Sequence, residues 1–551
     1  MQTRVLSGAL WTRMVRRGAA VLEKHCIEVN DLNVFPIPDG DTGSNMLMTL
    51  RSGCEASLKL PEDSTLCDAA GAVSSGMLLG ARGNSGVILS RIFAGIAKGL
   101  NGVAEASPQQ FSKALLCGVA ESYASVANPV EGTILTVFKD AANVASGDTF
   151  EALSDSFLEE ASASLARTPD LLPVLKEAGV IDSGGAGLAY IFEGMREALD
   201  DTLSDASEAE SRTQSAVVAS APADYDAFGP DSVLEFGYCT EFLLRLQSSK
   251  ITLDTFDENE IKNYLQSVGE SVVCFREGSI VKVHVHTFAP GEILSHCQRW
   301  GEFLSVKIEN MSLQHNGIAR GKEEDIVKIP RKRYAVVAVA SGEGLVQAFK
   351  ECGVEEVIEG GQTMNPSSAD FLVAFKRANA DVVFVFPNNS NIILAAQQAA
   401  GMYDDSEVIV FPCKSIGAGY VAAASLDRSA KDPKEISAAV METLDGVVCC
   451  MVSKAVRKSS LDGLDVKDGD YIGIEGSHVI CAGGVKDDVA NELVDRLGVA
   501  AHDVAVIFHG ADTTAEDAEN LVSNLQRRFP RTEFICSCGA QPIYDYIITL
   551  C

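Results

Sequence analysis

Apolar positions in roughly the first 200 residues recur at the spacing of amphipathic helices. Leu6, Leu10 and Met14 lie about one turn apart and Val21 follows two turns later, which predicts a helix near the start of the chain. The runs GVILSRIFAGIAKGL and GLAYIFEGMREALDDTL have the same rhythm, and each directly follows glycines and small residues. The pattern therefore predicts an all-helical domain over residues 1–203, with glycine loops at helix N-termini.

Beyond this domain the pattern changes twice. Residues 204–227 are rich in Ala, Ser, Asp and Glu and have no apolar rhythm, which is typical of a linker. The runs FGYCTEFLLRLQ, SVVCFREG and SIVKVHVHTFAPGE then alternate as strands do, and the helical run DENEIKNYLQSVG lies between the first two. Residues 228–320 are therefore predicted to form an α+β domain.

The last part of the chain carries continuous apolar runs. YAVVAVAS, DVVFVFPN and EVIVFP are typical of parallel strands buried on both faces, and helical segments alternate with them. Residues 331–551 are therefore predicted to form an α/β domain.

Composition and charge narrow the function classes. A chain of 551 residues is expected to form two to four domains, and its net charge of −31 argues against nucleic acid or an anionic membrane as the main partner. No run of 18 apolar residues occurs, which predicts the absence of a transmembrane helix. The 15 cysteines are scattered in a large chain without secretory features, so we expect reduced thiols and a cytoplasmic location.

Four loops of the first domain suit phosphate groups. They are NVFPIPDGDTGSNM, GARGNSGVI, EGTILTV and DSGGAGL. The second and fourth place small residues before a helix, where free N–H groups and the helix dipole attract anions, and Ser85, Thr133 and Thr136 offer hydroxyls. Each loop alone is more often a simple turn. No G-x-x-x-x-G-K-[ST] pattern occurs, which excludes a P-loop enzyme.

The first of these loops also carries two carboxylates. Asp39 and Asp41 flank Gly40, so an extended or turned backbone can direct both to one side. Paired hard oxygens suit Mg²⁺, and Asn33 can add an amide oxygen. The alternative is a Pro-Asp-Gly turn in which Asp41 or Thr42 caps a helix. The neighbouring phosphate-type loops favour the metal site.

The middle domain offers a second candidate metal site. His284 and His286 lie two residues apart in VKVHVHT and face the same side of a strand, and Cys239 lies in another predicted strand. Cys/His/His is a sound ligand set for Zn²⁺, with water or a fourth residue such as Glu309 or His315 completing it. The alternative is an amphipathic strand whose polar side holds two histidines.

The four loops closely resemble the nucleotide-binding domain of the dihydroxyacetone kinase L-subunit (DhaL) type. More specifically, they resemble the catalytic subunit of bacterial fatty acid kinase. FGYCTEF and VKVHVHTFAPG resemble the middle domain of that family, and GGQTMNPS and FPNNSNI resemble its C-terminal domain. The resemblance implies an all-α eight-helix barrel, an α+β middle domain and a DegV-like α/β domain. It also implies a suspected metal site at Cys239, His284 and His286.

The resemblance implies that the barrel binds ATP with two Mg²⁺ ions. Asp39 and Asp41 would bind metal, and Asn33 stands near the place of a third, acidic ligand in the L-subunit type. Arg167 matches a phosphate-side arginine. The implied nucleotide contacts are Thr42, Ser44, Asn45, Asn84, Ser85, Gly86, Thr133, Asp182, Gly184 and Gly185.

The resemblance further implies transfer of the ATP γ-phosphate to a fatty acid carboxylate, giving an acyl phosphate. In that family a separate DegV-type protein presents the fatty acid, and the kinase is a homodimer. We expect the C-terminal domain to dock this partner and not to carry the substrate. The alternatives are a kinase for dihydroxyacetone or a similar ketose, and a non-catalytic nucleotide- and lipid-responsive scaffold. Retention of Asp39, Asp41 and all four loops favours catalysis.

Overall fold

A computed structural model describes most of the chain. The described residues are 3–33, 40–61, 63–126, 128–200, 238–247, 250–251, 256, 259–277, 280–310, 331–361, 365–455, 459–476 and 478–551. The chain forms two compact units, one combining Met1–Thr202 with Pro330–Cys551 and the other formed by Leu203–Ile329. The first unit therefore joins two segments that the second unit separates in sequence.

The regular elements described in the N-terminal segment of the first unit are all helices. Its helices are α1 (Gly8–Lys24), α2 (Cys26–Asp31), α3 (Thr42–Ser57), α4 (Leu66–Gly80), α5 (Gly83–Gly99), α6 (Pro108–Ala124), α7 (Ile134–Val144), α8 (Phe150–Leu171), α9 (Pro173–Ala178) and α10 (Ser183–Glu197). Helices α4 to α8 each pack on the next, and α10 packs on both α8 and α1. The helical domain is confirmed, and the closed eight-helix barrel stays a prediction.

Local sequence explains where several of these helices begin. Ser7 caps α1 by accepting a hydrogen bond from the Leu10 N–H. Thr65 and Ser107 start α4 and α6 with reciprocal capping boxes, in which the side chain three residues later bonds back to the cap. The apolar faces then bury Trp11, Phe93 and other large side chains in one core.

The C-terminal segment of the first unit is α/β. Its strands are β5 (Lys332–Ala340), β6 (Glu356–Glu359), β7 (Ala380–Phe386), β8 (Glu407–Val410), β9 (Val448–Lys454), β10 (Ser459–Leu461), β11 (Leu464–Val466), β12 (Tyr471–Glu475), β13 (His478–Gly483), β14 (Val504–His509), β15 (Glu533–Cys538) and β16 (Tyr544–Leu550). Its helices are α13 (Glu343–Glu351), α14 (Ser368–Ala378), α15 (Ser390–Ala400), α16 (Ile416–Ala424), α17 (Pro433–Gly446), α18 (Lys486–Arg496) and α19 (Ala515–Arg528).

These strands build two larger sheets. The first is parallel with the order β6-β5-β7-β8, as the continuous apolar runs predict. The second has the order β13-β12-β9-β16-β14-β15 and is mixed, because only β14 and β15 pair in parallel. Strands β10 and β11 form a separate two-stranded ribbon.

The helical and α/β segments share a hydrophobic core. Ala81 and Val87, from the α4–α5 junction, belong to the same buried cluster as Phe371 of α14 and Ile392 of α15. A backbone hydrogen bond also joins the two segments: the Ser368 N–H donates to the Ala81 carbonyl at 3.2 Å. The two segments therefore form one packed body.

The second unit is an antiparallel sheet with helices. Its strands β1 (Tyr238–Leu246), β2 (Glu270–Glu277), β3 (Ile280–Thr287) and β4 (Gly301–Asn310) have the order β2-β3-β1-β4, and its helices are α11 (Asn259–Val268) and α12 (Pro290–Cys297). Phe242 and Leu244 of β1 pack with Val283 and Val285 of β3 in its core. In the backbone register of β1 and β3, Cys239 pairs with His286 and Glu241 pairs with His284.

Two observations bear on the expected environment of the chain. None of the helices in the described ranges has both the length and the apolar composition needed to cross a bilayer. The cysteines described with their side chains are free thiols.

The shared core can be tested at Phe371, which is fully buried. Replacing Phe371 with Ala removes most of a large side chain from the layer between the two segments, so we expect a loss of about 3–5 kcal/mol in the free energy of unfolding. Urea unfolding followed by circular dichroism measures it. Val373 of the same helix is half exposed, and Val373→Ala, the matched control, should cost less than about 1 kcal/mol. Equal losses in both variants would contradict the shared core.

Candidate active site

A cavity of about 980 Å³ lies within the first unit, between its helical and α/β segments. Three helices begin at its wall. Asp41, Thr42 and Asn45 come from the start of α3, Asn84 and Ser85 from the start of α5, and Ser183 is the first residue of α10. Asn33 also lines this wall. The N-terminal ends of three helix dipoles make this wall suited to anions.

The opposite wall comes from the parallel sheet. Ser341 follows β5, Gly360 follows β6, Asn388 follows β7 and Lys414 follows β8, and all four residues line the cavity. These residues lie at the carboxyl ends of the strands. The strand order reverses at β5, because β6 lies on one side of β5 and β7 lies on the other. In open α/β sheets ligands bind at such a reversal of strand order.

The carboxylate of Asp41 lies where the two walls of the cavity meet. Its side chain is buried, and the Asn365 Nδ2 donates to its Oδ2 at 2.6 Å. Burial raises the pKa of the Asp41 carboxyl above its ordinary value, although hydrogen bonds from Asn45 and Asn365 oppose the rise. A cation beside Asp41 would favour its ionised form.

The α/β segment is fixed to this carboxylate by several contacts. The Arg82 guanidinium donates to the Asn365 carbonyl at 2.8 Å, and Arg82 forms a β-bridge with Ser367. The Asn84 Nδ2 donates to the Asn391 Oδ1 at 3.1 Å. Both segments therefore supply side chains to one polar site.

Glycines bring α3 and α5 close together at the site. Gly83 has a φ of +58°, and a Cβ there would lie 2.5 Å from the Asn45 Nδ2. A Cβ on Gly86 would lie 2.4 Å from the Thr49 Oγ1. Gly86 does not line the cavity among the described residues, so in this structure it allows close packing.

Asp182, Gly184 and Gly185 lie behind the cavity wall. The Asp182 carboxylate accepts the Gly185 N–H at 2.6 Å and also the backbone N–H of Ile134, so it joins the starts of α10 and α7. Burial raises the pKa of Asp182 to about 6. A Cβ on Gly185 would lie 2.9 Å from a methyl group of Val137, which explains the glycine there. Close packing of α10 on α7 thus depends on these residues.

Three further candidate residues also lie away from the cavity. The Ser44 hydroxyl accepts from Asn30 at 3.1 Å, and the Thr133 hydroxyl donates to the Val130 carbonyl at 2.8 Å. Arg167 is exposed and ion-paired with Glu160 at 2.6 Å and Asp140 at 3.4 Å. None of the three is among the described residues that line the cavity. Their nucleotide roles stay predictions.

Some candidates fall outside what the structure describes. Asp39 and His315 lie outside the described residues. The backbones of Cys239, His284, His286 and Glu309 are described, and their side chains are not. Among the described side chains, no group of three or more His, Cys, Asp or Glu residues is arranged to hold a metal.

Mg²⁺ with a nucleotide fits the residues around Asp41. The side-chain oxygens of Asn84 and Asn365 are buried and lack a hydrogen-bond partner among the described residues. Carboxylate and amide oxygens are hard ligands, and Mg²⁺ commonly takes one or two carboxylates together with water and phosphates. Asp41 could hold the ion, with Asn33 and Asn45 close by on the same wall.

Several residues of this site did not follow from the sequence. Ser183 donates to the Thr42 hydroxyl at 3.3 Å and stands inside the glycine loop DSGGAGL. Asn365 and Asn391 lie in the segments GGQTMNPS and FPNNSNI. From the sequence alone, these segments served only to relate the C-terminal domain to its family, and no site residue was predicted in them. Polar loops directly after buried strands were the available signal.

The fold and the site together define a multidomain protein in which a helical domain shares a polar site with an α/β domain. Residues 36–197 match the DAK2 domain, residues 235–318 match the middle domain of FakA-like fatty acid kinase proteins, and residues 335–550 match the C-terminal domain of the same proteins. Protein YloV of Bacillus subtilis is 39% identical over 565 residues, covering 100% of both chains. The chain belongs to the FakA-like fatty acid kinase family.

Similarity to solved structures is distant. The dihydroxyacetone kinase from C. freundii, in complex with AMP-PNP and Mg²⁺, is 22% identical with a TM-score of 0.29, covering 34% of this chain and 33% of that one. The fatty acid binding protein DegV from Bacillus subtilis is 14% identical with a TM-score of 0.31, covering 40% of this chain and 99% of that one.

The raised pKa of Asp182 gives a test of its burial. When the pKa of a carboxyl rises from 3.8 to about 6 on folding, the folded protein loses stability as pH rises through that window. Asp182→Asn keeps an acceptor oxygen for the Gly185 N–H and removes the charge. We compare the free energies of unfolding of the variant and the parent. We expect the difference to move in favour of the variant by about 1 kcal/mol when the pH is raised from about 5.2 to 7.5.

Urea unfolding at the two pH values measures this difference. Asp63→Asn, in an exposed turn, is the control and should leave the pH dependence as in the parent. If Asp182→Asn shows the same pH dependence as the parent, the Asp182 carboxyl is not held at a raised pKa.

Proposed function

We propose that this chain transfers the γ-phosphate of ATP to the carboxylate of a fatty acid presented by a DegV-type binding protein, giving an acyl phosphate. Membership of the FakA-like fatty acid kinase family supports the substrate class. The observation that carries the site is the buried Asp41 at a wall where three helices begin. Phosphoryl transfer depends mainly on positioning and charge neutralisation, which such a wall can provide.

The proposed roles follow the chemistry of each side chain. Asp41, together with Asp39, would hold up to two Mg²⁺ ions, with Asn33 near the third ligand position. Bound Mg²⁺ would neutralise charge on the phosphates during transfer. The N–H groups at the starts of α3, α5 and α10 and the hydroxyls of Thr42, Ser85 and Ser183 would orient the phosphates.

The acceptor needs no general base. A fatty acid carboxyl has a pKa of roughly 4–5 and is ionised at neutral pH. A ketose hydroxyl such as that of dihydroxyacetone would instead need proton removal during transfer.

Further features of the proposal rest on the family resemblance. They are a homodimeric kinase, a phosphate-side role for Arg167, and nucleotide contacts by Ser44, Gly86, Thr133, Asp182, Gly184 and Gly185. The cytoplasmic location, the domain limits at 1–203, 228–320 and 331–551 and the linker at 204–227 rest on the composition and pattern of the sequence.

The test is phosphoryl transfer with and without the carboxylate of Asp41. The parent, incubated with labelled ATP, Mg²⁺ and a fatty-acid-loaded DegV-type protein, should give acyl phosphate, trapped as a hydroxamate. Asp41→Asn should lower the rate by at least about 100-fold, because the metal loses a charged ligand. Asp31→Asn, an exposed carboxylate at the end of α2, is the matched control and should retain full activity.

Two outcomes would overturn this proposal. Transfer to dihydroxyacetone with none to the fatty acid would assign a ketose kinase. Nucleotide binding with no transfer to either acceptor would assign a non-catalytic scaffold.

A zinc site in the second unit is a separate part of the proposal. Cys239 pairs with His286 across β1 and β3, and with Glu309 across β1 and β4, while His284 lies two residues from His286. The three residues thus lie on paired strands, and Cys/His/His is a sound ligand set for Zn²⁺.

Metal analysis of the purified chain tests the zinc site. We expect close to one equivalent of zinc in the parent and a large loss in Cys239→Ser. His296→Ala is the matched control, because His296 stacks on Tyr264 in a different part of the unit. Less than about a tenth of an equivalent of any transition metal in the parent would rule the site out.

A further inference from the structure

Asn365 contacts the proposed metal-binding carboxylate without lining the cavity. It is 1% exposed, and its Nδ2 donates to the Asp41 Oδ2 at 2.6 Å. Asp41 lines the cavity, whereas Asn365 is not among the described residues that do so. An effect of the Asn365 side chain on a ligand in the cavity therefore has to pass through Asp41.

The backbone around Asn365 is held from the helical segment. The Arg82 guanidinium donates to the Asn365 carbonyl at 2.8 Å and also pairs with the Asp370 carboxylate at 3.7 Å. The backbone of Arg82 bridges to Ser367, two residues after Asn365. These contacts fix the position of Asn365 without using its side chain, so the amide is free to act on Asp41.

Gly83 leaves room for two amides beside Asp41. It has a φ of +58°, and a Cβ there would lie 2.5 Å from the Asn45 Nδ2 and 3.3 Å from the Asn365 Nδ2. Both amides form hydrogen bonds with the Asp41 carboxylate. Asn45 belongs to the helix that begins at Asp41, while Asn365 is 324 residues away in sequence. The start of α5 is thus shaped to admit a donor from the α/β segment.

The Asn365 amide is oriented to suit a carboxylate. Its Oδ1 is buried and has no hydrogen-bond partner among the described residues, which is unfavourable. Turning the amide over would place this acceptor oxygen against the Asp41 Oδ2, and two acceptors repel each other. The observed orientation therefore keeps the N–H on Asp41, although the other end of the amide stays unpaired.

A hydrogen bond of this kind can orient a metal ligand. Each carboxylate oxygen has two lone pairs, so the bond from Asn365 to Oδ2 leaves acceptor positions for a cation in the cavity. Hydrogen bonds from residues behind a metal ligand fix its direction, and their loss typically lowers metal affinity or activity by about 10–100-fold.

We propose that Asn365 is a positioning residue, which holds the Asp41 carboxylate in the direction needed to bind Mg²⁺. This role rests on the proposed function, because it takes Asp41 as a metal ligand. It gives the α/β segment a part in the kinase site, since a residue of that segment sets the metal affinity of a carboxylate in the helical segment. Nucleotide binding without metal depends on the helix starts and not on Asn365.

Binding of Mn²⁺, a probe for the Mg²⁺ site, to the full-length chain with a non-hydrolysable ATP analogue tests this role. Free Mn²⁺ is measured by electron paramagnetic resonance. Asn365→Leu keeps the approximate size of the side chain and removes the donor, so we expect Mn²⁺ affinity to fall by at least about tenfold. Affinity for the analogue in EDTA should change by less than about twofold. Asn365→Ala, which adds no bulk, should give the same loss and replaces the leucine variant if that variant does not fold.

Gln398→Leu is the matched control. Gln398 of α15 is a buried amide that donates to the Leu78 carbonyl at 2.7 Å, so it joins the same two segments. Its Oε1 also lacks a partner among the described residues, and its other hydrogen bond goes to Ser368. We expect Gln398→Leu to bind Mn²⁺ within about twofold of the parent. Urea unfolding of the variants shows how far each substitution loosens the protein.

Four results would overturn this role. They are no Mn²⁺ binding by the parent with nucleotide, unchanged Mn²⁺ affinity in the Asn365 variants, an equal loss of affinity in Gln398→Leu, and a parallel loss of affinity for the analogue in EDTA. Acyl phosphate made by the parent would then leave the proposed function standing without this role. Conversely, a selective loss of Mn²⁺ affinity in the Asn365 variants, with no transfer by the parent to any acceptor, would support this role and remove the proposed function.

Discussion

The hydrogen bond from Asn365 to Asp41 is the contact on which the arrangement of the site depends. It joins two side chains that are 324 residues apart, and both are buried. A buried carboxylate is stable only when donors or a cation compensate for its lost hydration. The α/β segment thus supplies a second amide donor beside Asn45 of the helical segment. Ala81 and Val87 hold the two segments in register for this contact by packing into the core of the α/β layer.

This arrangement gives the polar atoms of the site a common explanation. Asp41 has a raised pKa because burial outweighs its two amide donors. The buried side-chain oxygens of Asn84 and Asn365 lack partners among the described residues. Unpaired acceptors and a partly compensated carboxylate are costly in a folded protein, and a cation beside Asp41 would compensate the charge of that carboxylate. These costs support the metal site proposed above.

The sequence predicted the parts of this structure that depend on local pattern. The apolar runs at β5, β7 and β8 indicated buried parallel strands, and glycine loops indicated helix starts at Gly83 and Ser183. Strands β9 and β16 were not predicted, and their pairing joins residues about 100 positions apart, which no local pattern can indicate. For the same reason, no local pattern could reveal Asn365 beside Asp41. The sequence identified the wall of the site that lies within one domain, and folding added the other wall.

The first unit is interrupted in sequence by the second, and this has a consequence for the order of events during synthesis. The helical segment leaves the ribosome first, with the surface around Ala81 still lacking its α/β cover. More than one hundred residues of the second unit follow before β5 is made. Domains generally fold as they emerge, so the helical segment is expected to wait with an apolar patch exposed. Asp41 acquires its partner only once the loop that carries Asn365 has been synthesised and packed. A newly made chain therefore cannot have a complete site while most of its α/β segment is still unmade.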